Sequence, residues 1–213
     1  MTVGQKTSAV VVAHPDDEII WAGGTILSRP DSNWFVAALS RAKDADRAPK
    51  FFRVLDDIGG TGAMADLDDG PDQGPLRKSV VQEAILSLLP ERDFDLVLTH
   101  GPRGEYTRHR RHEEVCRAAV ALWAKGRISA KALWMFAYED GGGAFTPRPC
   151  DNAHRQSKLS EDVWQQKYRL ITETYGFGPG SWEARVAPRT EAFWCFESAA
   201  AAQDWISQQG VEP

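Results

Sequence analysis

Residues 8–14, SAVVVAH, run apolar and largely β-branched with no polar alternation, and the run stops at Pro15-Asp16-Asp17-Glu18. A strand with one wet face alternates; a continuous run marks a strand covered on both faces, inside a sheet that carries helices above and below. Comparable runs recur at 34–40, 95–100 and 131–138. Helical patterns lie between them: 76–89 sets Val81, Ala84, Ile85 and Leu88 on one face, and 111–125 does the same with Val115, Ala118, Ala119, Leu122 and Trp123. Strands alternating with helices predict an α/β fold, a three-layer sandwich around a mostly parallel sheet.

After Asp140 the pattern changes. Gly141 to Gly143 and residues 147–152 are turn-rich, which reads as a long functional loop rather than a domain boundary. A helix at about 161–175, a Gly/Pro cluster at 176–181, an aromatic strand at about 192–196 and a closing helix at 199–208 complete the expectation. With 213 residues, one domain over 1–213 is expected, with a loop-rich C-terminal part from about 141. Hydrophobic residues at 42% and charged residues at 26% exclude a disordered chain. Three scattered cysteines exclude a zinc ribbon and a disulfide scaffold, and a net charge of −5 argues against nucleic acid as partner. The early apolar run is too short for a signal peptide or a membrane span, so a soluble cytoplasmic protein is expected. The acidic stretch 66–72, DLDDGPD, lacks the spaced ligands of an EF-hand and reads as a solvated turn.

In parallel α/β sheets ligands bind beyond the carboxyl ends of the strands, where His14-Pro15-Asp16-Asp17-Glu18 falls. These residues cannot continue a buried strand without unpaired charge. An imidazole and a carboxylate three residues apart can converge on one cation. The alternative is that Asp16 and Asp17 cap the helix that starts near Glu18. A second cluster follows the strand that ends at His100: Tyr106-Thr107-Arg108-His109-Arg110-Arg111-His112, leading into an amphipathic helix. Two histidines three apart lie on one side of a helix. An isolated pair of this kind among arginines reads as an exposed basic face, but two such clusters at strand ends together supply His, Asp and His, an open zinc set that leaves room for water.

Ala13-His14-Pro15-Asp16-Asp17-Glu18 resembles the AHPDDE signature of the PIG-L/LmbE family of metal-dependent N-deacetylases, and the second cluster resembles that family's downstream HPDH motif. Arg47, twelve residues before Gly59 in an IGG turn, resembles a substrate-binding Arg and an LG turn of the same family. The resemblance covers roughly residues 8–119. It implies a Rossmann-like, LmbE-like fold and hydrolysis of the acetamide on an N-acetylglucosamine-like sugar or glycoconjugate. It also implies that His14, Asp17 and His112 bind Zn2+, or Fe2+ or Co2+, that Asp16 is the base acting on water, and that His109 is the acid for the leaving amine. Arg47 and Tyr106 would meet the substrate.

The chain departs from that pattern in three places. Arg110 and Arg111 stand where a Pro and an Asp are expected, so the carboxylate that would orient His109 is missing. Thr107 and Arg108 add a residue between Tyr106 and His109, and Lys50 stands where a Glu is expected. Arg108, Arg110 and Arg111 around His109 should favour its neutral form and attract an anionic group on the substrate, which makes Arg111 a candidate substrate-binding residue; the alternative pairs these arginines with Glu105, Glu113 and Glu114 on the surface. His100 reads as either a partner to the site or a structural histidine. His154 is a remote candidate for the pocket, Trp134 and Trp182 are candidate sugar platforms against a core role, and Cys116 is a candidate fourth ligand against a buried thiol. Two further readings stay open: an amidase for a non-sugar amide on the same metal site, and a sugar- or nucleotide-binding module that has lost catalysis.

Overall fold

Lys6–Val12 forms β1, and its alternate side chains enter two different cores. Ala9 and Val11 pack with Val81, Ile85, Val115 and Ala118, while Val10 and Val12 pack with Ile19, Trp21, Phe51 and Val54. That double burial is why the run shows no alternation. The computed structural model describes residues 5–70, 72, 74–107 and 109–209, so Arg108, expected beside His109, lies outside the described residues.

The chain continues through α1 (Asp17–Leu27), β2 (Ser32–Ala38), α2 (Arg47–Asp57), β3 (Thr61–Met64), α3 (Lys78–Leu88), β4 (Asp93–Phe94), β5 (Leu96–Thr99) and α4 (Arg110–Ala124). Then come β6 (Ser129–Ala130), β7 (Leu133–Phe136), β8 (Tyr138–Glu139), β9 (Arg148–Pro149), β10 (Arg155–Lys158) and α5 (Glu161–Arg169). A π-helical turn at Leu170–Thr174, α6 (Trp182–Val186), β11 (Thr190–Phe196) and α7 (Ala199–Gln208) complete it.

Seven strands form the central sheet in the order β10-β11-β7-β5-β1-β2-β3. The five from β3 to β7 are parallel, with Val10 of β1 in register with Val36 on one side and Leu98 on the other. β11 runs antiparallel to both β7 and β10. The α/β three-layer expectation holds. α3, α4 and α7 cover one face, and α1, α2 and the π turn cover the other.

The chain moves from β1 outward through β2 and β3, then returns to place β5 on the other side of β1. The order of strands therefore reverses between β1 and β5, and a crevice opens at their carboxyl ends. One structural clamp ties α1 to the far end of the chain. Glu191 on β11 accepts the amides of Gly24 and Thr25 and the Thr25 hydroxyl, each at 2.7 Å, and the Lys167 Nζ at 2.8 Å, all of it buried. Among the described residues no helix is long and apolar enough to cross a membrane.

Candidate active site

The first cluster sits between β1 and α1. Helix α1 begins with the Asp16 carbonyl, which accepts the Ile19 and Ile20 amides at 3.0 and 2.9 Å. The Asp16 side chain makes no capping hydrogen bond. Its backbone has φ 120°, the left-handed half that side chains rarely enter. The capping alternative therefore fails for Asp16, whose Oδ2 instead meets Arg47 Nη1 at 2.5 Å. Glu18 holds the turn from beneath: its Oε2 accepts the Asp16 amide at 2.9 Å, and its Oε1 accepts the Tyr175 hydroxyl. Asp17 turns the other way, its Oδ2 accepting the His14 amide at 3.0 Å and its Oδ1 the Trp21 indole at 3.1 Å.

The second cluster comes from the loop between β5 and α4. Gly101 lies so close to β7 that a Cβ there would stand 2.5 Å from the Phe136 carbonyl, and Gly104 takes φ 73°. This tight loop buries Glu105 completely. Glu105 Oε1 accepts the Gly101 amide at 2.8 Å, and Oε2 faces His100 Nδ1 at 3.0 Å and His112 Nδ1. Helix α4 starts after His109, so the rings of His109 and His112 stack with centroids 4.3 Å apart.

The two clusters meet. His14 Nδ1 lies 3.0 Å from Asp17 Oδ2 and 3.2 Å from His112 Nε2, and His112 Nε2 lies 3.3 Å from Asp17 Oδ2. Donors bound at roughly 2.0–2.1 Å around a tetrahedral zinc stand about 3.3 Å apart. The remaining ring nitrogens face carboxylates, His112 Nδ1 toward Glu105 and His14 Nε2 toward Asp69 Oδ1 at 3.0 Å. With protons on those outer nitrogens, both inner nitrogens carry lone pairs directed at the Asp17 oxygen. Two lone pairs and a carboxylate oxygen form a donor set that fits a divalent cation. Burial works against ionisation of Asp17, but His112 and His100 beside it hold its carboxyl well below the usual carboxylate range.

A cavity of about 160 Å³ opens over this cluster, walled by Asp16, Arg47, Tyr106, His109 and Trp182. Burial pushes the Asp16 carboxyl well above its usual range, and the neighbouring Asp17 adds to the rise against Arg47. Burial also drives His109 down to about 3, assisted by His112 and His14, and among the described residues its Nδ1 has no hydrogen-bond partner. The neutral His109 expected from the sequence is present, but burial and histidines cause it. A second cavity, of about 460 Å³, lies beyond the 101–107 loop against Trp194 and Trp205; it shares Tyr106 with the first and holds none of the histidines.

Several expectations change. Arg111 does not line the cavity: it is buried, with Nε donating to the Asp68 carbonyl at 2.6 Å, Nη2 to the Gly74 carbonyl at 3.1 Å and Nη1 to Glu114 at 2.5 Å. A helix residue one position before His112 points away from it, which is the physical reason. Arg110 is exposed. Glu105, expected on the surface with the arginines, is the carboxylate behind His112. In the acidic stretch Asp66 and Asp68 are exposed, as expected of a solvated segment, but Asp69 reaches inward to His14. His100 belongs to the site, since it accepts the Ala13 amide at its Nε2 (2.9 Å) and turns its Nδ1 to Glu105. Cys116 points to Met135 Sδ at 3.4 Å and is a buried thiol. His154 packs against Trp194, Phe196 and Trp205, away from the cluster. Trp134 lies under Arg29 and Arg155, whereas Trp182 packs against Tyr106 at 4.6 Å in the cavity wall.

No protein-family model matches the chain, and no curated protein matches it in sequence. Solved structures do match in shape. The N,N'-diacetylchitobiose deacetylase from Pyrococcus horikoshii, complexed with its inhibitor, aligns with TM-score 0.68 at 15% identity over 90% of this chain and 84% of its own. The zinc-inhibited form of a teicoplanin deacetylase aligns with TM-score 0.65 at 14% identity over 91% and 99%. The 4-carboxy-2-hydroxymuconate hydratase from Pseudomonas putida KT2440 aligns with TM-score 0.59 at 15% identity over 89% and 95%. These identities speak to the fold. In its AHPDDE motif and in its three-layer fold, the chain resembles the PIG-L/LmbE N-deacetylases.

Proposed function

We propose that this protein is a metal-dependent hydrolase that removes the acetyl group from an N-acetylated sugar or glycoconjugate. The observation that carries this reading is the convergence of His14 Nδ1, Asp17 Oδ2 and His112 Nε2, 3.0 to 3.3 Å apart, where His14 and Asp17 line an open cavity beside Asp16 and His112 lies buried behind them. His14, Asp17 and His112 would hold one divalent ion, zinc first, with iron or cobalt compatible with the same donors. Such an ion, when bound, lowers the pKa of water toward neutrality and polarises a carbonyl.

The chain's own residues divide the remaining work. Asp16 accepts the proton of the attacking water as its oxygen bonds to the acetamide carbon. It then releases that proton to the sugar nitrogen as the carbon–nitrogen bond breaks, so that acetate and a free amine leave. Burial, His112 and His14 hold His109 neutral in the resting site against the weaker influence of Asp17 and Asp69, which revises the acid expected from the sequence: it offers a hydrogen bond to the leaving nitrogen instead. Burial keeps the Tyr106 hydroxyl protonated and therefore a donor toward the acetyl oxygen. Arg47, stacked over Phe177 at 4.5 Å and paired with Asp16, presents its free edge to sugar hydroxyls, and Trp182 presents a ring face to the pyranose.

The fold alone permits other reactions, since a hydratase shares it. Acetate release from a panel of N-acetylated sugars and non-sugar amides, before and after chelation, separates the readings. Release from sugars that stops on chelation and returns with zinc is the expected result. Turnover of the non-sugar amides alone would make the protein an amidase, and sugar binding without acetate would make it a binding module.

A further inference from the structure

We propose that Asp69 is the positioning residue that orients His14 toward the metal, and that Arg41 holds Asp69 in place for that task. The inference rests on the metal-site reading above and extends it to residues outside both sequence motifs. An imidazole can offer one nitrogen to a cation only when its other nitrogen carries the proton. His14 Nε2 lies 3.0 Å from Asp69 Oδ1, so a proton kept there leaves the Nδ1 lone pair pointing at Asp17 and His112. Glu105 fixes His112 in the same way from the opposite side of the cluster.

The two supports are built differently. Glu105 is completely buried and locked by the Gly101 amide and His100. Asp69 arrives on the acidic segment after β3, between Gly70 and the exposed Asp68, and an external side chain anchors it. That side chain is Arg41: its Nε and Nη2 both donate to Asp69 Oδ2, at 3.2 and 2.8 Å. Arg41 reaches that position from a left-handed backbone, φ 65°, three residues after β2, a conformation that few non-glycine residues take. One carboxylate thus spends one oxygen on the histidine and the other on the guanidinium. The pair Arg41–Asp69 is the orienting arm of His14, and a segment that reads as solvent-facing carries it.

Zinc affinity measured by chelator competition tests this, together with the His14 tautomer read from imidazole 15N shifts in the metal-free protein. Asp69→Ala should weaken zinc binding roughly 10- to 100-fold, the usual scale for losing such a partner, and should shift the His14 proton away from Nε2. Asp69→Glu, which keeps an acceptor, should retain most of the affinity. Arg41→Met should fall between wild type and Asp69→Ala, with circular dichroism confirming that each variant folds. Unchanged zinc affinity and an unchanged tautomer in Asp69→Ala would overturn the proposal, as would an Asp69→Glu variant no better than Asp69→Ala. Wild-type protein that takes up no stoichiometric zinc would instead overturn the metal-site reading itself, and the inference with it.

Discussion

Tyr175 donates its hydroxyl to Glu18, and through that carboxylate the π turn after α5 reaches the backbone of Asp16. Burial pushes the Glu18 carboxyl up to about 7, and the Tyr175 hydroxyl is the strongest influence against that rise. Tyr175→Phe strands a buried carboxylate without one donor, which should destabilise the fold by about 1–3 kcal/mol. It should also loosen the Asp16 turn, so that kcat falls while zinc content stays. Urea denaturation and metal analysis on the same samples check both halves; an unchanged midpoint would remove the role given to Tyr175.

Asp16 combines a proposed chemical role with a backbone at φ 120°. Such residues carry strain of about 1–3 kcal/mol that glycine relieves. Asp16→Gly should therefore melt at a higher temperature than Asp16→Ala, while both lose activity by roughly 10²-fold or more. Asp16→Asn should behave likewise in turnover and keep its metal. Asp17→Asn should instead lose metal first, and equal metal loss in the two asparagine variants would make Asp16 a ligand rather than a base.

Arg111 binds the backbone of residues 68 and 74 and pairs with Glu114, whose side chain is 8% exposed. Arg111→Ala should destabilise the protein by about 3 kcal/mol or more, because Glu114 is left buried without its cation, with the Leu76 amide still on its other oxygen. The ratio of turnover between a neutral and an anionic substrate should not move. A changed ratio at unchanged stability would return Arg111 to the substrate.

The wholly buried Lys167–Glu191 pair allows a sharper contrast. Lys167→Met should cost about 3–5 kcal/mol by leaving Glu191 unneutralised. Glu191→Gln should also destabilise, since an amide nitrogen in place of Oε2 cannot accept the Thr25 amide and hydroxyl, and in place of Oε1 cannot accept the Gly24 amide and Lys167 Nζ. Thermal denaturation of both variants checks this, and a neutral effect of either would mean that the clamp forms no part of the stability of α1.

The elements legible in the sequence are those whose burial is one-sided or complete. Residues 8–14 announced β1, 111–125 announced α4, and the closing helix matches at Ala199–Gln208. Helix α2 and strand β3 were not anticipated, because α2 buries only Phe51, Val54 and Leu55 and β3 is the half-exposed edge Thr-Gly-Ala-Met. In the site, His109 and His112 were readable as neighbours because three residues of helix separate them, whereas His14 and His112 meet across 98 positions only through the sheet. Glu105 and Asp69 were missed for one reason: nothing local marks a carboxylate that will turn inward. Two histidines, each needing an acceptor for the outer nitrogen, were the available signal.

The Glu191 clamp also sets an order in time. Gly24 and its acceptor are 167 residues apart, so a ribosome adding about 5–20 residues per second leaves α1 without its anchor for roughly ten to thirty seconds after that helix is made. Over that interval β1 and α1 can form and pack through Val10, Val12, Ile19 and Trp21, but the helix that carries Asp17 still lacks its Glu191 anchor. Under the metal-site reading proposed above, capture of the ion by the nascent chain should therefore be late, arriving with β11 rather than accumulating as the histidines appear.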